Sequence, residues 1–140
     1  MDLAEVYQRF ESAWDEFAKG NPEPAKALYS HRGDATLANP FGPAVRGWDQ
    51  VSQSLEYASS RFRDGEFIST DRIAEYATPE LVCLLDLEHW KARVGDRPNV
   101  EPFDLRVTTT LRREDDGWKI VHRHADPITT FDSSGPMRAG

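Results

Sequence analysis

The chain has 140 residues, of which 39% are hydrophobic and 29% charged, and its formal net charge is −7. This size predicts one globular domain whose core needs neither disulfides nor a metal, and the lone Cys83 cannot form an internal disulfide. The acidic charge argues against partners with phosphate backbones, and no apolar stretch approaches the roughly 20 residues that span a bilayer. The opening residues, M-D-L-A-E-V, lack a signal-peptide pattern. We therefore expect a cytoplasmic protein that binds neither nucleic acid nor membrane.

The N-terminal segment carries two helix patterns. Residues 2–19 repeat apolar side chains every three or four positions, which predicts an amphipathic helix. Asp2 and Glu5 are spaced as in a helix-capping box. Asn21 followed by Pro22 predicts the start of a short second helix that ends near residue 29.

The next segment predicts a short strand, a loop and a long helix. The strand covers about 35–38 and leads into the loop 39–43, N-P-F-G-P. The third helix starts after Gly47, and its apolar face continues to Phe62. Gly65 is predicted to end it.

The second half of the chain changes to an alternating pattern with a period of two. Turn-forming sequences separate four predicted strands, which cover about 66–77, 80–93, 101–114 and 117–126. Helices followed by a meander of strands predict an α+β fold, with the helices packed on one face of a strongly curved antiparallel sheet. We expect residues 1–127 to form this single domain and 128–140 to form a flexible C-terminal tail.

Alternation along the last strand assigns its side chains to two faces. The large apolar residues of that strand belong against the helices, so every second residue should share their face. This rule predicts an inward-facing row of Trp118, Ile120, His122, His124 and Asp126.

The same rule assigns faces to the two preceding strands. On 101–114 the predicted inward residues are Leu105, Val107, Thr109 and Leu111. On 80–93 the apolar side chains predict an inward row of Leu81, Cys83, Leu85, Leu87 and His89. Asp86 and Glu88 would then lie outside with Arg106 and Arg112, either as a lattice of surface ion pairs or as the interface of a homodimer.

A curved sheet covered by helices leaves a cone, whose open end is a natural small-molecule pocket. The sequence at this point resembles the nuclear transport factor 2-like superfamily, especially its SnoaL-like and ketosteroid-isomerase-like members. The likeness spans about 2–127 and is carried by G-N-P-E-P-A-K-A-L-Y-S, by the segment from Gly33 to Val51, and by the closing hairpin from Leu105 to Pro127. The resemblance implies a cone-shaped, cystatin-like α+β barrel and a homodimer that pairs through the outer sheet face.

The resemblance does not imply steroid isomerase activity. The position of the isomerase base is occupied by Asn39, whose amide cannot take a proton at ordinary pH. The positions of the two oxyanion donors are occupied by Phe10 and Thr109. Polar groups instead accumulate on the last strand.

The last strand therefore carries the predicted catalytic residues. His124 with Asp126 is the preferred acid–base pair, with His122 beside it, because imidazole transfers protons near neutral pH. Two alternatives stay open, a structural role for His122 and a metal held by the histidines, although the spacing selects no metal. The predicted substrate contacts, across the cone and at its rim, are Asn39, Trp48, Phe10, Trp14, Thr109 and His89.

Two classes of function follow. The first is a cofactor-independent enzyme, of isomerase, cyclase, lyase or hydrolase type, that performs acid–base chemistry on a small apolar molecule. The second is a non-catalytic ligand-binding or association domain. Neither class requires a metal or a cofactor.

Overall fold

A computed structural model describes residues 1–128, so most of the predicted tail, 129–140, lies outside the described residues. Three helices and six strands follow one another in the order that the sequence predicts, with one short strand added before the third helix. They are α1 Leu3–Ala18, α2 Glu23–Lys26, β1 Thr36–Ala38, β2 Val45–Arg46, α3 Trp48–Ser60, β3 Phe62–Ala77, β4 Leu81–Val94, β5 Glu101–Glu114 and β6 Gly117–Pro127.

The strands form one sheet in the order β2-β1-β6-β5-β4-β3. The four long strands pair antiparallel as a meander, whereas the short β1 pairs parallel to β6. The helices α1 and α3 pack against the sheet on one side, which we call the inner face. The opposite side is the outer face. The predicted α+β architecture is confirmed.

Helix α1 begins as its sequence predicts. The Asp2 carboxylate accepts a hydrogen bond of 2.9 Å from the backbone N–H of Glu5, which satisfies one of the free donors of the first turn. Val6, Trp14 and Phe17 of its apolar face are buried. Burial of this face, more than helix propensity, holds α1 on the sheet.

Helix α3 ends earlier than the sequence predicts, and Gly65 has a different role. The helix stops at Ser60, and Phe62 already belongs to β3. A Cβ at Gly65 would lie 2.7 Å from the carbonyl oxygens of Ala18 and Lys91. Gly65 is therefore required by the close approach of α1 and β4 to β3, and not by a helix end.

The predicted faces are right for β5 and wrong for β4. Leu105, Val107, Thr109 and Leu111 of β5 are buried on the inner face. On β4 the buried inner residues are the opposite set, which includes the two acids: Val82, Leu84, Asp86, Glu88, Trp90 and Ala92. Asp86 and Glu88 are tolerated there because each is paired with an arginine, whereas Leu81 and Leu85 remain exposed outside.

The faces of β6 change along the strand because it carries one extra residue. Ile120 pairs with Leu111 of β5, and His122 pairs with the adjacent Thr110, so Val121 has no partner in the ladder. This is a β-bulge, and it breaks the alternation. Beyond the bulge, Arg123 and Ala125 point to the inner face.

The buried core lies between α1, α3 and the inner face, and aromatic rings form much of it. Trp90 lies at the centre of this cluster, with ring centroids of Phe17, Phe62 and Phe67 5.2–6.4 Å away. None of the helices within residues 1–128 is long and apolar enough to cross a membrane.

Candidate functional site

A cavity of about 320 Å³ lies between the helices and the inner face, and we call it the inner cavity. Helix α1 contributes one wall, α3 another, and β4, β5 and β6 form the floor. Its lining is mainly apolar and includes seven aromatic side chains: Trp14, Phe17, Tyr29, Phe41, Phe62, Trp90 and Phe103. A cavity of this size and composition is typical of sites for small organic molecules.

Three parallel rings shape one side of the inner cavity. The rings of Phe62 and Phe103 stack at 5.7 Å with an angle of 4° between their planes. Trp90 stacks on Phe103 at 6.0 Å and 16°. These flat, rigid surfaces present their faces and edges to an occupant, which favours planar apolar molecules.

A buried ion pair contributes the main charged group of the lining. The Arg123 guanidinium donates to both carboxylate oxygens of Glu88, at 2.9 and 2.6 Å. The indole N–H of Trp90 donates to the same carboxylate at 3.1 Å, and the ring of Trp14 covers the guanidinium carbon at 4.3 Å. Burial alone would lower the pKa of Arg123, but the Glu88 carboxylate holds that pKa above its usual value, so the guanidinium stays charged.

Tyr29 lies beside this pair in the cavity wall. Its hydroxyl is the one buried side-chain polar atom within residues 1–128 that has no hydrogen-bond partner. Burial raises the pKa of Tyr29 far above its usual value, and the charge of Glu88 adds to this effect while Arg123 opposes it. The hydroxyl therefore keeps its proton at neutral pH and is a donor without an acceptor among the described residues.

The exposed side of the inner cavity carries polar residues whose side chains are already engaged. Arg97 and Glu101 form an ion pair of 3.3 Å there. Asn39 lines the cavity, as the sequence suggested, but its amide donates to the Ser54 hydroxyl at 3.1 Å and accepts from the backbone N–H of Phe41 at 2.9 Å. These bonds give Asn39 a structural role in shaping the loop after β1.

The predicted catalytic residues do not line the inner cavity. Because of the bulge at Val121, His122, His124 and Asp126 lie on the outer face, which corrects the inward assignment. His124 and Asp126 do form the predicted pair, at 2.9 Å, but about half of each side chain is exposed. No third group joins them: within 1–128, no set of three His, Cys, Asp or Glu side chains is placed to hold a metal ion.

His122 is partly buried on the same face. Its Nδ1 lies 2.8 Å from the Thr36 hydroxyl on the neighbouring strand β1. Burial lowers the pKa of His122 below its usual value, and the adjacent His124 lowers it further. This polar contact joins two strands on the outer face, whereas the structural alternative for His122 had placed it beneath the helices.

His89 also lies outside the inner cavity, because the faces of β4 are reversed. Its two ring nitrogens contact carboxylates on the neighbouring strands, Asp104 at 2.7 Å and Asp71 at 2.8 Å. Hydrogen bonds to these two acids raise the pKa of His89 above its usual value. His89 therefore ties three strands together on the outer face.

The remaining predicted contacts have mixed positions. Trp14 lines the inner cavity, whereas Phe10 packs against Trp14, with ring centroids 5.8 Å apart, and does not reach the cavity. Thr109 is buried on the inner face but does not reach the cavity either. Trp48 stacks on His31 at 3.8 Å beside a separate polar depression at the start of α3.

Arg123, Glu88 and Tyr29 are not among the residues that the sequence patterns predicted for the site. Strict alternation from Ile120 predicts that Arg123 lies on the outer face, and the sequence does not reveal the bulge that turns it inward. A signal for Glu88 did exist: Trp90, the largest side chain of β4, shares its face and favours burial of that row. Tyr29 carries no sequence signal beyond its position in the segment that resembles SnoaL-like proteins.

Solved structures with the same architecture include a nuclear transport factor 2-like superfamily protein from Salmonella enterica serovar Typhimurium. That chain is 18% identical, with 94% of this chain and 92% of that one covered and a TM-score of 0.73. A proposed dehydratase of the same family from Streptomyces avermitilis is 18% identical, with coverage of 92% and 95% and a TM-score of 0.72. A ketosteroid isomerase-like protein from Erwinia carotovora atroseptica is 13% identical, with coverage of 91% and 95% and a TM-score of 0.72.

The structural similarity to these proteins establishes the fold, but at identities this low it leaves the activity open. No curated protein matches the chain. The sequence pattern of the SnoaL-like domain, by contrast, matches residues 6–129, which is most of the chain. Together with the curved sheet, its covering helices and the cavity between them, this match shows that the chain belongs to the SnoaL-like domain family, with a nuclear transport factor 2-like fold.

Proposed function

We propose that the protein binds a small, mainly aromatic molecule in the inner cavity and does not use histidine chemistry on it. The observation that carries this proposal is the lining itself, in which seven aromatic side chains surround a volume of about 320 Å³. Burial of a planar apolar molecule against such surfaces supplies the driving force for binding.

The groups around the inner cavity support binding over acid–base catalysis. Among its lining residues within 1–128 there is no histidine, and the one carboxylate is Glu101 at the exposed side. Glu88 is held by Arg123 and Trp90, so its oxygens have accepted three hydrogen bonds. Tyr29 keeps its proton and is a poor base. A general base must reach the substrate with a free, suitably tuned group.

Two probes test the binding proposal directly, the hydrocarbon tetralin and its ketone 1-tetralone. Trp14 and Trp90 lie in the cavity wall, so an occupant should change the tryptophan fluorescence and raise the melting temperature. Ala125 is buried in the floor, and Ala125→Leu adds three carbons into the cavity. We expect this variant to bind both probes at least tenfold more weakly.

His124→Leu is the matched control, because it places the same side chain one residue away on the outer face. It should bind both probes as the wild type does. If Ala125→Leu proves too unstable, Ala58→Leu fills the cavity from α3 instead. Equal binding by the wild type and both filled variants would contradict the proposal.

A further inference from the structure

We propose that His122 makes ligand binding in the inner cavity depend on pH: when its imidazole gains a proton, the wall formed by β1 and the loop after it loosens, and apolar molecules bind more weakly. The inference rests on the proposed function and concerns the regulation of the same site. Its basis is that His122, on the outer face, contacts the strand whose opposite face lines the cavity.

The connection from His122 to the cavity wall is short. Thr36 of β1 lies opposite His122 in the parallel pairing with β6, and its hydroxyl oxygen is 2.8 Å from the imidazole Nδ1. Successive side chains of a strand point to opposite faces, so the residue after Thr36 points into the cavity. The lining residues contributed by β1 and the following loop are Leu37, Asn39, Pro40 and Phe41. The His122 contact therefore holds the strand that carries this part of the wall.

β1 is held in the sheet by short pairings. It has three residues, and its second neighbour, β2, has two. Segments with few backbone pairings open at low free-energy cost, so a side-chain contact to β1 matters more than one within the long meander. The loop beyond β1 carries Phe41, whose ring meets that of Phe62 edge-on, with centroids 5.4 Å apart. A shift of β1 would therefore alter the aromatic lining as well as the position of Leu37.

The surroundings of His122 disfavour its charged form. Partial burial lowers the pKa of His122 below its usual value, and so does His124, whose ring centroid is 6.4 Å away. Its neighbour across the β5 pairing is the uncharged Thr110. The charged side chains of the surrounding outer face are His124 and Asp126 on β6, Arg106 and Arg112 on β5, Arg46 on β2 and Asp34 before β1. Both acids of this set are already paired, Asp126 with His124 and Asp34 with Arg112.

A proton on His122 changes its contact with Thr36. The neutral ring can accept the hydroxyl hydrogen of Thr36 at Nδ1, whereas the charged ring carries a hydrogen on both nitrogens. The hydroxyl must then turn its own hydrogen to the carbonyl oxygen of Val121, which is 3.4 Å away and gives a weaker bond. The charged ring is also better solvated outside its partly buried position. Both effects favour movement of His122 into water, which removes its hold on β1.

The sign of the pH dependence follows from this arrangement. An occupant that packs against Leu37 and Phe41 stabilises the ordered wall, and with it the neutral form of His122. Affinity should be constant above the pKa of His122 in the free folded protein, which lies below the ordinary 6.5, and should weaken as the pH falls through it. By reciprocity, the occupant should lower the pKa of His122 further.

The first experiment measures the affinity for tetralin at pH 7.5 and pH 5 by tryptophan fluorescence. Tetralin has no group that titrates, so a change reports on the protein. His122→Asn keeps a polar atom close to the position of Nδ1 but takes up no proton in this range. His124→Gln is the matched control, because it removes the other histidine of β6 and leaves the contact with Thr36 in place.

We expect the affinity of the wild type to fall at least about fivefold at pH 5, the lower end of typical coupling between two sites. The affinity of His122→Asn should be the same at both pH values. His124→Gln should keep the fall and begin it at a higher pH, because one of the two causes that lower the pKa of His122 is gone. An equal affinity of the wild type at both pH values, or a fall of the same size in His122→Asn, would overturn the inference.

The second experiment needs no variant. An NMR titration of the His122 imidazole in the wild-type protein, with and without saturating tetralin, measures its pKa in the two states. We expect the pKa to be lower with tetralin bound, by the same factor as the loss of affinity. A pKa that tetralin leaves unchanged would contradict the coupling. Failure of the proposed function is distinguishable, since tetralin would then not bind even at pH 7.5.

Discussion

At the scale of single residues, the inner cavity depends on an arginine and a glutamate that the alternating pattern assigned to the surface. Arg123 and Glu88 are buried together, and each leaves an uncompensated charge if the other is removed. Such pairs add little net stability compared with apolar residues, but breaking one is expensive. The main effect of the pair is therefore on the cavity lining, because Arg123 and Glu88 must be buried together.

Arg123→Met tests this constraint, because it leaves the Glu88 carboxylate buried without its partner. We expect the free energy of unfolding to fall by about 3–5 kcal/mol. Adding Glu88→Gln removes the charge and keeps an acceptor for the Trp90 indole, so the double variant should recover a substantial part of the loss. Urea denaturation of both variants measures the effect. A double variant less stable than Arg123→Met would show that the charge of Glu88 is not the cause.

His124 provides the corresponding test on the outer face. Since more than half of its side chain is exposed and it does not reach the inner cavity, His124→Gln should bind 1-tetralone as the wild type does. Its stability should change by no more than about 0.5 kcal/mol, as for most surface substitutions. Probe titration and thermal unfolding check both values. A tenfold loss of binding would restore the hypothesis that His124 acts on the ligand.

At the scale of elements, histidines connect neighbouring strands on the outer face. His89 on β4 contacts Asp71 on β3 and Asp104 on β5, and His122 on β6 contacts Thr36 on β1. The environments shift their pKa values in opposite directions, upward for His89 and downward for His122. The contribution of His89 to the stability of the meander and that of His122 to the pairing of β1 with β6 should therefore change with pH in opposite directions.

For His89, the folded state binds the proton more tightly than the unfolded chain, whose pKa is about the ordinary 6.5. Its stabilising contribution is full below pH 6.5 and is lost as the pH rises through the higher pKa of the folded state. His89→Gln should therefore lose more stability at pH 6 than at pH 8.5. Urea denaturation at the two pH values measures this. An equal loss at both would contradict the role of the charged imidazole.

For His122 the sign is reversed, because burial disfavours its charged form. Its contribution is present above pH 6.5 and is lost as the pH falls through the lower pKa of the folded state. The stability difference between the wild type and His122→Gln should then shrink from pH 7.5 to pH 5. The same denaturation series records it, and a difference that grows at pH 5 would argue against burial as the cause.

At the scale of the whole molecule, the outer face is more apolar than the sequence pattern suggested. With Asp86 and Glu88 buried, β4 instead exposes Leu85 at 40%, and Tyr76 of the adjacent β3 is 68% exposed. Cys83 lies directly opposite Tyr76 on β4. We propose that a second copy of the chain covers this surface, which keeps the homodimer as a prediction.

Leu85→Arg tests the homodimer, because it places a charge on the exposed apolar part of the outer face. We expect light scattering to show a dimer for the wild type and a monomer for Leu85→Arg. Tyr57→Arg, at an exposed position on α3, is the matched control and should remain dimeric. A monomeric wild type at high micromolar concentration would contradict the proposal.

Local sequence patterns by themselves determined much of this architecture. The spacing of apolar residues predicted α1, and Asp2 marked its start. The turn sequences separated the four long strands, and alternation placed Leu105 and Leu111 of β5 correctly. These features depend on residues within a few positions of one another, so they can be predicted from local sequence patterns.

Only the tertiary structure decided which side chains surround the inner cavity. Asp86 and Glu88 face inward because Arg72 and Arg123, distant in sequence, neutralise them there. The bulge at Val121 depends on pairing with β5, and it moves the two histidines of the last strand outside while turning Arg123 inward. A period of two fixes only which residues of one strand share a face. One extra residue moves every later side chain of the strand to the opposite face, and charge partners on other strands decide which of the two rows is buried.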